Sequence, residues 1–433
     1  MPMKNYQVIA FGVLCTVLGL GLGITIYPHP QSGESPYQWT QYGHNPRRRP
    51  IFLGSSQKIE TWTYQMDHAG IAAPASVVNG IVYAGSNGNQ VAAVSNGKQL
   101  WKVTVPNQVM TTPLVVGNHV IVGVGNKTFE SSRVRGTGWS GIIALNRKNG
   151  VTLWTVQTHG AVMPTPALYR NRVYAATGAG AMVVIDWRTG QVLQKISLHG
   201  SYVSMSSPLV AGSRIYVGGA TPYALYAINL TSDRVIWSVP VRAQGGLDDC
   251  SPAWADGLIV AQYTNYLNST GTRLSATTIG ITTAGKIAWQ LSLGQGSTAL
   301  DQMQTGQPTV FGGMVYVGSP VTDRVYAIDP RTGHLAWSTP IGAAVRGNPA
   351  LLAGQLLVGD SLGRLDTLSQ RTGKILRQTV LTAASRAQGS APTPTGFGGT
   401  GPVVVGPTLY IVSMNGTILA RPVRQFLVPS QNA

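Results

Sequence analysis

The 433-residue sequence predicts an all-β fold, an eight-bladed β-propeller of four-stranded blades, and three observations carry that expectation. The first is a repeat whose clearest copy reads Val325-Tyr326-Ala327-Ile328-Asp329, then Thr332-Gly333, then Trp337. Aligned on the slot of Trp337, eight copies give Trp62, Trp101, Trp154, Gln194, Trp237, Trp289, Trp337 and Arg377, spaced 39 to 53 residues apart. The second is strand propensity. Runs such as Ile81-Val82-Tyr83-Ala84, Arg172-Val173-Tyr174-Ala175, Arg214-Ile215-Tyr216-Val217 and Met314-Val315-Tyr316-Val317 are rich in β-branched and aromatic residues and bounded by turn formers. The third is the count at the ends. The last repeat has Leu409-Tyr410 and a strand near Thr417 to Ala420 but no Trp strand, whereas Lys58 to Tyr64 carries Trp62 with no strands before it. The N-terminal segment is therefore expected to complete the eighth blade, which removes unpaired edges.

Within each repeat the expected order from the channel outward is a small-residue–Pro strand, a Val-Tyr strand, an Ala-Ile-Asp strand, a Thr-Gly turn and a Trp strand. Gly97, Gly150, Gly190, Gly285, Gly333 and Gly373 hold the turn slot, as a turn needing positive φ prefers, and Asp233 fills it once.

The repeats cover roughly residues 58–424 as one ring, with a tail at 425–433. Ahead of them, 28–57 reads as linker and lead-in, and 1–27 as a signal or anchor segment. Tyr6 to Tyr27 is a mostly apolar run of 22 residues behind Lys4, long enough for one N-terminal transmembrane or signal helix. An uncleaved anchor is the favoured expectation. Either form puts the propeller outside the cytoplasm, in the periplasm or at the cell surface, with a membrane contact through this segment. Cys15 lacks the small residue before it that a lipoprotein signal needs.

Charge is sparse as well as positive: 31 Lys and Arg stand against 14 Asp and Glu, and charged residues make up 10% of the chain. Apart from Arg47-Arg48-Arg49 the basic residues are scattered, so no nucleic-acid partner is expected. A surface built from Ser, Thr, Asn, Gln and Gly suits an acidic exterior, where carboxylates are protonated and give neither solubility nor ion pairs. A basic surface lying against anionic lipid produces the same composition. Cys250 is the one cysteine outside the apolar run and reads as a small buried residue. The seven His are dispersed, so no metal site is expected.

In a propeller, the connections into the innermost strands converge at one mouth of the channel. Three residues before each innermost-strand Pro stand Ile71, Met110, Met163, Met205, Asp249, Thr305, Arg346 and Gly389. Three consecutive methionines thus face Asp249 and Arg346 across the ring, either as contacts for a ligand or as filling for a plugged channel. The scarce carboxylates sort by register. Asp186 and Asp329 occupy the repeat's Asp slot, and Asp233, Asp256 and Asp323 fall in turns. Asp67, Asp248, Asp249 and Asp301 fall instead in the mouth loops of blades 1, 5 and 6. Asp249, then Asp248 and Asp301, are the candidate catalytic acids; the other reading is that these carboxylates bond backbone N–H groups or Arg242 and Arg346. Insertions stand at about 127–140, 264–277, 294–306 and 393–406, as lids, site walls or partner contacts, and those of the second and fifth blades, 127–140 and 264–277, leave on the face of the mouth loops and are expected to cover a pocket over the channel.

The Val-Tyr, Ala-Ile-Asp, Thr-Gly and Trp pattern resembles the pyrroloquinoline-quinone-type propeller repeat, and Gln38-Trp39-Thr40-Gln41-Tyr42-Gly43 is similar to the lead-in of such propellers. That superfamily includes quinone-dependent dehydrogenases, outer-membrane assembly scaffolds and tetrathionate hydrolases of acidophiles. The dehydrogenases carry an adjacent cysteine pair over the cofactor, and this chain has none, so pyrroloquinoline quinone and calcium are not favoured and no cofactor is expected. Resemblance to the tetrathionate hydrolases is favoured. It implies a hydrolase of sulfur metabolism acting at low pH on a small anionic sulfur compound, with an Asp near the substrate as acid and insertion loops that form a cavity and a homodimer. On that implication Asp249, Asp248 or Asp301 donates the proton, Arg346 and Arg386 hold the sulfonates, and Met110, Met163 and Met205 touch the sulfur chain. A non-catalytic envelope scaffold and a quinone-dependent dehydrogenase stand as the alternatives.

Overall fold

The computed structural model describes residues 42–43, 45, 50–52, 59–297, 303–382 and 396–429. The segment 1–27, most of the lead-in, Asp301, Arg386 and Gly389 lie outside the described residues. Among the described residues there is no α-helix; a 3-10 turn at Val423–Gln425 is the helical element present.

Eight sheets form the propeller. Blades 1 to 7 each contain four antiparallel strands in sequence order, as in blade 3 with Ala167–Tyr169, Arg172–Ala176, Ala181–Asp186 and Val192–Ser197. Blade 8 takes Val403–Val405, Thr408–Val412 and Thr417–Pro422 from the C-terminal side, and Trp62–Gln65 lies antiparallel against Thr417–Pro422 with Trp62 opposite Ala420. A fifth strand, Ile51–Phe52, runs parallel to Val403–Val405 on its free edge. The sequence reading has no place for it, because two residues inside a linker carry no periodicity.

Each conserved slot of the repeat has a packing reason. The Ala of Ala-Ile-Asp stands directly opposite the Trp slot, as Ala93 to Trp101, Ala144 to Trp154, Ala227 to Trp237 and Ala327 to Trp337. A small side chain there leaves the indole free to lean outward. The Val-Tyr tyrosine packs on the Trp of its own blade, with ring centroids 6.1 Å apart for Tyr83 and Trp101 and 6.0 Å for Tyr316 and Trp337. The Asp caps its own turn: Asp186 Oδ1 accepts from Arg188 N at 2.8 Å and Asp329 Oδ1 from Arg331 N at 2.9 Å.

The glycine answers to the blade before its own. Gly333 sits at φ +72, and a Cβ there would lie 2.6 Å from Trp289 of blade 5, whose Nε1 donates to Pro330 O at 2.6 Å. The same bond runs from Trp101 to Arg147 O, Trp154 to Trp187 O, Trp237 to Thr283 O and Trp337 to Gln370 O. Where the Trp is replaced by Gln194, the next turn carries Asp233 instead of Gly, and Asp233 bonds Tyr174 OH at 3.0 Å and Arg172 at 2.5 Å. Where it is replaced by Arg377, blade 8 offers no such turn and Arg377 donates to Gln425 O.

Two positions of the channel register are corrected. The innermost strand of blade 8 begins at Val403, directly after Pro402, so its slot is Gly399 and not Gly389. Pro-rich sequence between 392 and 402 offers several equivalent starting points. In blade 1 the strand begins at Ser76, two residues past Pro74 where the others start one past, so the slot falls on Ala72 and Ile71 is fully buried behind it.

The interlock predicts that Gly333→Ala destabilises the ring by roughly 2–4 kcal/mol, from positive φ together with the displaced Trp289. Trp289→Phe, which loses the indole bond, should cost about 1–2 kcal/mol. Denaturant unfolding of both variants checks the order.

Candidate functional site

The loops that enter the innermost strands meet over the channel and enclose a cavity of about 620 Å³. Its floor is the corrected register: Ala72, Met110, Met163, Met205 and Gly399, with Met303 beside them. Beneath the floor, hydrogen bonds link five successive blades in a polar arc. Thr112 N donates to Thr165 Oγ1, Thr165 N to Ser207 Oγ, Ser207 N to Ser251 Oγ and Ser251 N to Gln307 Oε1, at 2.6 to 3.1 Å. Each link joins one blade to the next. Tyr42 OH, from the lead-in, reaches Asn348 Oδ1 at 3.2 Å in the same layer.

Two insertions raise the walls. In blade 2 a small hairpin, Phe129–Ser131 with Val134–Arg135, brings Phe129, Arg135 and nearby Lys127 to the cavity. In blade 5 the middle strands lengthen to Leu258–Tyr266 and Arg273–Thr282, and Tyr266 stands at the cavity edge. Tyr202 and Tyr223 complete this side, and burial raises both hydroxyls above the ordinary phenol value.

Asp248 and Asp249 occupy a tight loop that Gly246 opens at φ +81, with Asp249 N and Cys250 N both donating to Gly246 O. The backbone oxygen of Asp248 accepts from Met205 N at 2.9 Å and Ser206 N at 2.7 Å, which ties the loop to blade 4. The two carboxyls then differ. Asp248 is buried, and its Oδ2 accepts from Ser204 Oγ at 2.6 Å; Ser204 Oγ accepts from Arg135 Nη1 at 2.7 Å. Asp249 is half-buried and its carboxyl has no hydrogen bond among the described residues. Burial pushes both above the usual carboxylate range; the charge of Asp248 pushes Asp249 further, and Arg135 opposes. Arg346, buried in the wall, donates from Nε to Met303 O at 3.0 Å, and burial lowers its pKa to about 10, so it remains a cation in acid.

Asp249, Asp248, Arg346, Met110, Met163 and Met205, read from sequence as site residues, therefore line one cavity, while Asp301 and Arg386 lie outside the described residues. Asp67 is held locally: it accepts from Ser86 Oγ and, at 3.0 Å, from Ala69 N. Arg135, Lys127, Phe129, the three tyrosines, Met303 and Met414 were not named from sequence. The insertion at 127–140 was the available signal for the first three, since it departs from the repeat and carries basic residues. No group of three or more His, Cys, Asp or Glu able to hold a metal ion occurs among the described residues. Cys250 lies buried in the core with Gln262 N on its Sγ at 3.2 Å, and no cysteine stands next to it in the sequence to form the pair that covers a quinone.

A family model described as outer membrane protein assembly factor BamB matches residues 56–219 and 225–427. The tetrathionate hydrolase of Acidithiobacillus ferrooxidans is 31% identical over 386 residues, covering 83% of this chain and 74% of the relative. That of Acidianus ambivalens is 26% identical, covering 80% and 70%. BamB of Yersinia pestis is 23% identical, covering 75% and 77%. Among solved structures, BamB from Moraxella catarrhalis superposes with a TM-score of 0.60 at 18% identity, over 83% of this chain and 98% of that one. Quinohemoprotein alcohol dehydrogenase from Comamonas testosteroni gives 0.61 at 14%, over 89% and 80%. These two likenesses show the fold alone.

Burial raises other carboxyls too. Asp366, wholly buried in blade 7, accepts from Gln378 Nε2 at 2.9 Å on Oδ1 and has no partner on Oδ2, and its pKa is pushed up to about 6. Asp323 is raised as well, by burial, with Arg346 opposing. A carboxyl whose folded pKa exceeds its unfolded value stabilises the fold below the unfolded value, and that stability is lost as pH rises through the folded one. For Asp366 the window runs from about 4 to about 6. Stability should therefore fall from pH 4 to pH 7, and Asp366→Asn should shrink that fall by about 2 kcal/mol, measured by urea unfolding at the two pH values.

Proposed function

This chain belongs to the propeller family of outer membrane protein assembly factor BamB and of tetrathionate hydrolase, and we propose that it is an exported enzyme hydrolysing tetrathionate or a related polythionate in acidic surroundings. The observation that carries the reading is the composition of one cavity: a carboxyl pair that burial raises above the ordinary range, a buried arginine and a methionine floor. Tetrathionate is a dianion whose ends are sulfonates and whose middle is polarisable sulfur. Arg346 suits a sulfonate through charge-assisted hydrogen bonds, and Arg386 is proposed for the same role. Met110, Met163 and Met205 offer soft contact to the sulfur chain.

Asp249 is the proposed general acid. A water oxygen bonds to one sulfur, an S–S bond breaks with its electron pair on the departing sulfur, and the Asp249 proton goes to that sulfur; the added water then returns a proton to the carboxylate. An acid made neutral by burial is competent throughout the acidic range. Export follows from the apolar run Tyr6 to Tyr27, and the outer-membrane relatives fit that location. A homodimer contact is proposed at the insertion tips, where Phe129, Tyr266 and Leu267 are exposed. The BamB relatives support a second reading, an envelope scaffold with no turnover.

Purified protein assayed on tetrathionate near pH ~3, the range of an ordinary carboxyl, should turn over, and Asp249→Asn should lower kcat by roughly 10²- to 10⁴-fold. Undiminished turnover in Asp249→Asn removes it as the acid. No turnover by the wild type, with envelope proteins co-purifying, favours the scaffold.

A further inference from the structure

We propose that Arg135 is a positioning residue: acting through Ser204, it holds Asp248 as the anion of the Asp248–Asp249 pair, so that the pair's one proton stays on Asp249. The inference rests on Asp249 being the acid of the site and says how that acid keeps its proton.

The two carboxyls share a loop and a buried setting, yet their donors differ. Ser204 accepts a hydrogen bond from a guanidinium and passes its own proton toward Asp248 Oδ2, at 2.7 and 2.6 Å. A hydroxyl polarised in that way is a stronger donor than a serine alone. A donor favours the ionised carboxyl, and an ionised neighbour favours the neutral one. Asp248 has the donor and Asp249 has the neighbour, so the asymmetry runs in one direction.

Arg135 is built to hold this place without substrate. Its backbone N donates to Gly178 O at 2.8 Å and its backbone O accepts from Ala161 N at 2.7 Å, both from the blade 3 side. Its Nε donates to Lys127 O at 3.1 Å, and its guanidinium lies 4.8 Å over the Phe129 ring, whose edge meets Tyr202 at 5.3 Å. The other titratable groups facing the pair are Tyr202 from the loop before blade 4 and Tyr223 of blade 4, whose hydroxyls burial raises, and Tyr266 of blade 5. Lys127 and Arg346 line the same cavity, but Arg135 is the cation that acts on both carboxyls.

Infrared titration of the full chain, read at the carboxylic acid C=O stretch, tests the assignment without substrate. Difference spectra against each variant separate the pair from Asp323 and Asp366. In the wild type, Asp249→Asn should remove the band that persists above the ordinary carboxyl range, and Asp248→Asn should leave a band. Arg135→Gln should raise the midpoint of the pair by about one pH unit and put part of the proton on Asp248. Arg135→Lys should restore the wild-type midpoint, and Ser204→Ala, which leaves the hairpin intact, should shift it in the same sense as Arg135→Gln. On tetrathionate, Arg135→Gln should move the alkaline limb of the pH profile upward with the midpoint. An unmoved midpoint in both Arg135→Gln and Ser204→Ala, or a wild-type band lost with Asp248→Asn instead of Asp249→Asn, overturns the proposal. Absence of tetrathionate turnover in the wild type counts against the functional reading and leaves the infrared result to decide this one.

Discussion

The ring depends on one interaction repeated around it: the indole of an outermost strand lying under the turn of the next blade. Flat sheets do not bury each other's outer strands well, because the blades splay with distance from the channel. A Trp is large enough to bridge that gap, and its Nε1–H ties it to a carbonyl of the neighbour. The glycine of the turn is then required twice, by positive φ and by the ring pressed against it. The opposite Ala and the stacked Tyr follow from the same indole. Four slots of the sequence repeat are therefore one contact seen from four residues.

At the centre a different bond serves the same end. In four consecutive blades, 2 to 5, the backbone N–H ahead of the innermost strand finds a Thr, Ser or Gln side chain on the following blade, so these buried donors are satisfied between blades. Above the floor, burial is the largest influence on Asp248, Asp249 and Arg346, raising the two carboxyls and lowering the guanidinium. Burial also raises Asp323 and Asp366, so several of the chain's few carboxyls are held above the ordinary carboxylate range.

The candidate site was legible in part for the same reason that the ring was. Asp249, Arg346 and the three methionines could be named because each stands at a fixed offset from a proline that recurs in every blade. Where the offset failed, in blades 1 and 8, the cause was local: one additional residue before Ser76, and several prolines ahead of Val403. Arg135 escaped because insertions have no register. Lying 69 residues from Ser204, which is 44 from Asp248, it meets the pair only through the curvature of three blades.

Sequence alone determined the number of blades, the order of strands within them and which loops share a face, since these follow from periodicity and from contacts that each repeat must make in the same way. It also separated the acids that the blade explains from those it does not. Tertiary structure decided what the unexplained acids meet: which carboxyl receives a donor and which lies bare beside a charge. Those outcomes depend on distances between elements that no local pattern encodes, and on burial, which belongs to the assembled ring and to no single segment of it.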